Sequence, residues 1–164
     1  MQLTDLLPLD AWKKLEEELY RRSGLQASVF DAKGVRITDT KRWANRLCPA
    51  IKADDRGQSY ICAVAHMNMA AEAAGARRPV IGECDAGLLK FVVPIFHGDE
   101  FVGVAGGCGL ILDDGEVDAF MLEKTLGMDE ARVEALGEGI GAMRTSEVEE
   151  LAAFVNDWLE RRLS

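Results

Sequence analysis

Two apolar segments separated by a short polar turn constrain this chain more than any other feature. Residues 88–96 read LLKFVVPIF, residues 101–112 read FVGVAGGCGLIL, and HGDE joins them. That joint has the composition of a tight turn, so the sequence predicts a β-hairpin. In the second strand, alternation places one apolar face on Val102, Val104, Gly106, Cys108, Leu110 and Leu112. Glycine and alanine fill the opposite face, which indicates a close backbone approach or a bulge.

Five further segments complete the predicted core. Residues 25–31 and 35–38 should form a first hairpin, and residues 79–84 another strand. Asp10 is expected to cap a helix that Gly24 ends, and residues 56–74 should form a second helix ended by Gly75. On this second helix Cys62, His66, Met69 and Ala73 share one face. The pattern predicts an α+β fold with a five-stranded antiparallel sheet and flanking helices, as in PAS- or GAF-like domains.

After residue 113 the chain is predicted to be helical in three segments. The last of these carries an apolar stripe of Val148, Leu151, Val155, Trp158 and Leu159. The stripe either packs on the chain's own sheet or forms a contact surface for another chain. The length of 164 residues and 17.9 kDa fits one domain over 1–164, with a core at about 10–113 and helices over 116–164.

The composition restricts the partners and the compartment. A net charge of −9 and a pI of about 4.8 make nucleic acid an unfavourable partner. No apolar run approaches the roughly 20 residues of a membrane span, and the N-terminus does not have the pattern of a secretory signal. We therefore expect a cytoplasmic protein without a membrane partner, whose cysteines are thiols, metal ligands or redox groups.

The four cysteines are the main candidates for chemistry. Cys48 is predicted in a loop, Cys62 on the helix face, Cys84 at a strand end and Cys108 on the apolar strand face. There is no CxxC pair, so spacing alone favours neither a zinc ribbon nor a ferredoxin-type cluster. Small buried thiols are the commonest alternative. His66 follows Cys62 by four residues, which suits either a metal ligand or a hydrogen-bonded helix residue.

The order of these motifs resembles the PocR-type sensory domain, a PAS-like module of signalling proteins. The resemblance covers about residues 10–113. It depends on Cys48, Cys62, the Cys84-Asp85-Ala86-Gly87-Leu88 segment, and the hairpin that contains Val93, Pro94, Ile95, Gly98, Val102 and Gly103. Asp85 stands where the family signature has histidine, and Cys108 stands where many members have a polar residue.

The resemblance implies a sensor without catalysis of its own. Its signal would be a small organic ligand or a redox state, in a pocket between the sheet and the helix over 56–74. We expect Phe91, Val93, Val104 and Asp85 to contact the ligand. A zinc ion or an iron–sulfur cluster is the expected cofactor if one is present, held by Cys48, Cys62, Cys84 and Cys108.

Two other functions compete with this interpretation. Some GAF-like domains reduce methionine sulfoxide with pocket cysteines, and a nucleophilic thiol here would need a lowered pKa from a nearby cation such as His66 or Arg46. A pure interaction domain would dimerise through its last helix. A sensor would pass its signal to a separate regulator or kinase chain, or act as a homodimer.

Overall fold

The computed structural model describes residues 1–163 in eight α-helices, one π-helical turn and six strands. The helices are α1 (Leu3–Leu6), α2 (Leu9–Ser23), α3 (Leu47–Ala53), α4 (Asp55–Gly57), α5 (Ala63–Ala76), α6 (Ala119–Leu126), α7 (Glu130–Gly137) and α8 (Thr145–Leu163). The π turn covers Gln58–Cys62. The strands are β1 (Gln26–Asp31), β2 (Val80–Glu83), β3 (Leu89–His97), β4 (Glu100–Cys108), β5 (Ile111–Leu112) and β6 (Ala142–Met143).

The main sheet is antiparallel and has four strands in the order β1-β4-β3-β2, while β5 and β6 form a separate parallel pair. The expected fifth strand over 35–38 is reduced to a single bridge between Phe30 and Arg36. The side chains of Arg36 and Thr38 bond instead to Glu16 of α2. These bonds tie the segment to the helix, and strand pairing stops there.

The predicted hairpin over 88–112 is confirmed as β3 and β4, and the register contains an irregularity at Ile95/Phe96. Gly103 lies beside this irregularity. Only glycine fits there, because a Cβ would lie 2.2 Å from the Phe30 carbonyl oxygen of β1. The bulge places Val102 with the core on one face of the sheet and Val104 on the other face. The predicted single apolar face is therefore interrupted, and the strand ends at Cys108 because Gly109 has a φ of 109°.

One face of the sheet is covered by α2 and α8. Trp12, Leu15 and Leu19 of α2 are at most 1% exposed. The rings of Trp12 and Trp158 lie 5.6 Å apart. The α2 helix ends at Gly24 as predicted, with a φ of 77°. Its start differs from the prediction, because Pro8 occupies the N-cap and Asp10 lies in the first turn.

The apolar stripe of α8 belongs to this same core. Its five residues are all buried: Val148, Leu151, Val155, Trp158 and Leu159. They pack with residues of the main sheet in one cluster. The structure thus selects the intramolecular interpretation, and the stripe is not a free surface for another chain.

The opposite face of the sheet is covered by the helical segment around α5. His66, Met69 and Ala73 of the predicted helix face are buried, and Cys62 on the same face is half-buried. Met69 and Ala73 pack on Val92 and Val104. The predicted single helix is made of α4, the π turn and α5, and it continues past Gly75 to Ala76. Within residues 1–163 no helix combines the length and apolarity that a membrane crossing requires.

Candidate functional site

A cavity of about 170 Å³ lies between the sheet and the helical segment over 58–67. This is the location that the sequence predicted. Engineered apolar cavities of about this size hold a molecule as large as benzene. The exposed lining residues Lys33, Gln58 and Met67 mark its open side. The space therefore suits a small organic molecule that enters from solvent.

The sheet side of the cavity follows from strand register. Gln26 and Lys90 both pair with Cys108, and Ser28 pairs with Gly106, so these side chains point to one face. All of them line the cavity. At Gly106 a Cβ would lie 1.9 Å from the Phe91 carbonyl oxygen, so only glycine fits and no side chain fills the space.

The helical side includes the π turn. Gln58, Ile61 and Cys62 from this turn line the cavity together with His66 of α5. One extra residue per turn widens the helix locally, and such turns occur frequently at functional sites. The π turn is therefore a second sign, besides the cavity, that this face has a role other than packing.

All four cysteines line this cavity, and all are half-buried free thiols. Cys48 is oriented by Asn45, which accepts from the Cys48 backbone N–H at 2.7 Å and donates to its Sγ at 3.3 Å. Asn45 also donates to the Gly109 carbonyl oxygen. Cys48 lies in the first turn of α3 and not in the predicted loop, and these bonds fix the start of α3 to Gly109, next to Cys108 at the end of β4.

Cys84 is placed by a tight turn. Its backbone N–H donates to the Leu88 carbonyl oxygen at 2.9 Å, and the Gly87 N–H donates to the Cys84 carbonyl oxygen at 2.9 Å. Gly87 has a φ of 81°, and a Cβ there would lie 2.2 Å from the Glu116 carbonyl oxygen. Ala86 and Leu88 are buried. The Ala-Gly-Leu part of the signature is therefore a structural device that holds Cys84 at the cavity.

Burial favours the protonated form of three of the four thiols. It raises the pKa of Cys48 to about 12, with a further contribution from Cys108. Burial also raises the pKa values of Cys62 and Cys84. A nucleophilic thiol needs the opposite shift. Arg46, one of the two cations considered for it, donates to the Ala135 carbonyl oxygen and does not line the cavity.

The raised pKa of Cys48 predicts slow alkylation. At pH 8, iodoacetamide should modify Cys48 at least about a hundredfold more slowly in the folded protein than in the urea-unfolded chain, because the thiolate is the reactive form. Mass spectrometry of peptides after timed quenching gives the rate for each cysteine. Equal rates in both states would contradict the raised pKa, and faster modification of the folded protein would favour a nucleophilic thiol.

The cysteines do not form a ready metal site. In the part of the chain described, 1–163, no group of three or more His, Cys, Asp or Glu side chains is arranged to hold a metal ion. Zinc requires sulfur ligands at about 2.3 Å. Residues 1–163 as the structure has them therefore present no such set of ligands.

Of the four residues expected to contact a ligand, only Phe91 lines the cavity. Val93 lies in the core beneath α2 and α8, and Val104 packs under α5 with Met69. Asp85 is exposed in the turn after β2 and does not line the cavity. The segment LLKFVVPIF is apolar on both faces, so its alternation did not show which face the cavity occupies.

His66 lines the cavity, and among residues 1–163 neither of its ring nitrogens has a hydrogen-bond partner. His66 is 5% exposed. Its ring lies 3.9 Å from the Phe30 ring, centroid to centroid. Burial, with Lys90 and Lys52 nearby, lowers its pKa to about 4. At neutral pH His66 is therefore an uncharged ring with one donor and one acceptor to offer.

The lowered pKa of His66 predicts that the stability of the fold depends on pH. The unfolded chain protonates His66 near pH 6.5 and the folded protein only near pH 4. Between these values the unfolded state binds more protons, so the free energy of unfolding falls as pH drops. The loss should reach roughly 3 kcal/mol at about 1.4 kcal/mol per pKa unit. Urea unfolding of the wild type and His66→Phe from pH 4 to 7 checks this, and parallel curves would contradict it.

Sequence reasoning did not select the polar residues of the sheet. Gln26, Ser28 and Lys90 line the cavity, and Lys90 is 8% exposed. A signal was present, because Lys90 interrupts an apolar strand and charged residues are almost never buried without a partner. The alternation of Gln26, Ser28 and Phe30 in β1 is a second such signal.

The fold and cavity fit a sensory module, and comparison with known proteins supports that class. A family model described as the sensory domain found in PocR matches residues 5–160, nearly the whole chain. The chain belongs to the PocR sensory-domain family. Membership favours signal sensing over catalysis. The comparisons with curated proteins and with solved structures found no match.

Proposed function

We propose that this chain senses a small organic molecule by binding it in the cavity between the main sheet and the helical segment over 58–67. The observation that carries the proposal is the cavity itself, about 170 Å³ and lined by four buried polar side chains, Gln26, Ser28, His66 and Lys90. A few polar groups in a mostly apolar pocket are typical of ligand sites. Family membership as a sensory domain supports the same function.

Binding to a preformed cavity would stabilise the folded state by mass action. The ligand would also bridge the sheet to the π turn and α5, two parts of the chain that the cavity otherwise separates. A change in the position or order of the helical segment is the proposed output. A separate regulator or kinase chain, or a second copy of this chain, is the proposed receiver; the α8 stripe is buried and does not supply that contact.

A metal or iron–sulfur centre is the second candidate for this site, because all four thiols line the cavity. Ligation would need thiolates, so affinity would fall at low pH. Purification without oxygen followed by metal analysis tests it. A stoichiometric metal lost from a Cys48→Ser, Cys84→Ser variant supports the metal function, and a metal-free protein that folds normally excludes it.

The ligand proposal is tested by blocking the cavity. We use sodium butyrate, butyramide and 1-butanol as probes, since each has five or six non-hydrogen atoms, about the size that the space holds. Calorimetry should detect binding of at least one probe to the wild type. Cys108→Phe should abolish it, because the new ring occupies the cavity. Val35→Phe adds the same ring at an exposed site outside the cavity and should bind normally.

Two results would overturn the proposal. One is the absence of binding of all three probes to the folded wild type. The other is equal binding by the wild type and Cys108→Phe, which would place the probe elsewhere. Circular dichroism of both variants establishes that each is folded before binding is measured.

A further inference from the structure

The charge distribution around the cavity is opposite to that of the whole chain. The chain carries a net charge of −9, yet three lysines line the cavity: Lys33, Lys52 and Lys90. Among residues 1–163, no Asp or Glu side chain lines it. A recess lined by one sign of charge concentrates ions of the opposite sign. The cavity is thus an electropositive site in an acidic protein.

Lys90 is the most informative of these lysines. It is 8% exposed, and in the described chain no carboxylate lies within salt-bridge distance of its ammonium group. Its Nζ lies 5.5 Å from the centre of the Phe30 ring. The stem of Lys90 is buried while its ammonium group opens into the cavity, where a partner of opposite charge would stabilise it. A bound anion would supply the missing partner.

His66 lies on the same ring. Its imidazole centre is 3.9 Å from that of Phe30, and both of its nitrogens are without a partner in the described part of the chain. Phe30 therefore lies near both the Lys90 ammonium group and the His66 imidazole, and both side chains line the cavity. Two donors of this kind match the two oxygens of a carboxylate.

Part of the remaining wall is apolar, and three of the four thiols do not oppose an anion. Ile51, Ile61, Leu88 and Val92 line the cavity. Cys48, Cys62 and Cys84 are uncharged at neutral pH, since burial raises the pKa of each. An anion with a short apolar tail satisfies both parts of the wall, whereas an inorganic anion satisfies only one.

We propose that the ligand class of this cavity is a small monocarboxylate, with its carboxylate held by Lys90 and His66 and its short aliphatic tail against Ile51, Ile61, Leu88 and Val92. This inference rests on the proposed function, because it names the chemistry of the same cavity. Lys52 also lines the cavity and is half-buried, and its charge attracts the carboxylate from a greater distance.

The test compares butyrate with butyramide, which has the same shape and no charge. Wild type should bind butyrate about tenfold more tightly or better, as one charge-assisted hydrogen bond predicts. Lys90→Met keeps the length of the side chain and removes its charge. It should reduce butyrate affinity about tenfold and change butyramide affinity less than about twofold. Inorganic phosphate should bind more weakly than butyrate.

Two variants control for indirect effects. Lys14→Met makes the same change at an exposed position of α2 and should bind butyrate as the wild type does. Lys52→Met removes a half-buried lysine of the cavity and should weaken butyrate binding about threefold, from a more distant charge. It also serves as the test if Lys90→Met does not fold.

The outcomes separate this inference from the proposed function. Butyramide binding as tightly as butyrate, and still lost in Cys108→Phe, overturns the monocarboxylate and leaves the sensor proposal intact. A butyrate preference that survives in Lys90→Met and Lys52→Met also overturns it. If no probe binds the cavity, the proposed function fails and this inference fails with it.

Discussion

Val155→Glu in α8 is expected to unfold the protein or to lower its free energy of unfolding by more than about 4 kcal/mol. Val155 is fully buried in the core formed by α2, α8 and the main sheet. The substitution removes a packed side chain and puts an unpaired carboxylate into an apolar site. A loss of this size is a large part of the roughly 5–15 kcal/mol that stabilises a typical domain.

Ala153→Glu is the matched control, because it introduces the same residue on the exposed face of the same helix. Ala153→Glu should change the free energy of unfolding by no more than about 0.5 kcal/mol. Denaturant unfolding followed by circular dichroism measures both variants. Wild-type stability in Val155→Glu would contradict the burial of the α8 stripe and would revive its role as a surface for another chain.

Glu16→Ala is expected to lower the free energy of unfolding by about 3–5 kcal/mol. Glu16 is 3% exposed, and its Oε2 accepts from the Val29 N–H at 3.0 Å, the Thr38 hydroxyl at 2.7 Å and the Arg36 guanidinium at 3.3 Å. Its removal leaves a partly buried cation and two donors without their acceptor. It also releases the segment that follows β1, which these bonds hold on α2.

Glu16→Gln separates charge from hydrogen bonding. The amide oxygen keeps an acceptor for Val29 and Thr38, so the loss should be smaller than in Glu16→Ala. Urea unfolding at pH 7 gives both values. A cost below about 1 kcal/mol for Glu16→Ala would show that the bonds to Arg36 and Thr38 do not hold the structure together.

The sequence predicted those elements correctly whose residue pattern fits only one secondary structure. The β3–β4 hairpin followed from two apolar segments and the turn between them, and the shared face of His66, Met69 and Ala73 followed from helical spacing. All four cysteines line the one cavity because the start of α3, the π turn, the turn after β2 and the end of β4 meet there. The location of the cavity against the helix could be predicted for the same reason. The loop predicted around Cys48 is the first turn of α3 instead.

The face of the sheet that meets the cavity could not be predicted. β3 is apolar on both sides, so Val93 was placed at the cavity although it belongs to the opposite core. In β4 the bulge beside Gly103 changes the alternation between Val102 and Val104. A one-residue irregularity of this kind depends on contacts between strands and leaves no periodic trace in a single sequence.

The prediction of a fifth strand in the main sheet was wrong for a related reason. Residues 35–38 have a strand-like composition, but Arg36 and Thr38 form their bonds with Glu16 of α2, which lies far away in the sequence. Local propensity cannot include that competition. Lys90, by contrast, was visible in the sequence as a charge within an apolar strand. Only the structure shows that its side chain lines the same cavity as His66.

The position of a bound probe tests the central claim most directly. Chemical-shift mapping of isotope-labelled protein during butyrate titration should move the signals of His66, Lys90 and Cys108 together with one affinity. Cys108→Phe should show none of these shifts, and Lys90→Met should show them only at about tenfold higher butyrate. Shifts confined to residues outside the cavity, or unchanged in Cys108→Phe, would contradict a small-molecule sensor built on this cavity.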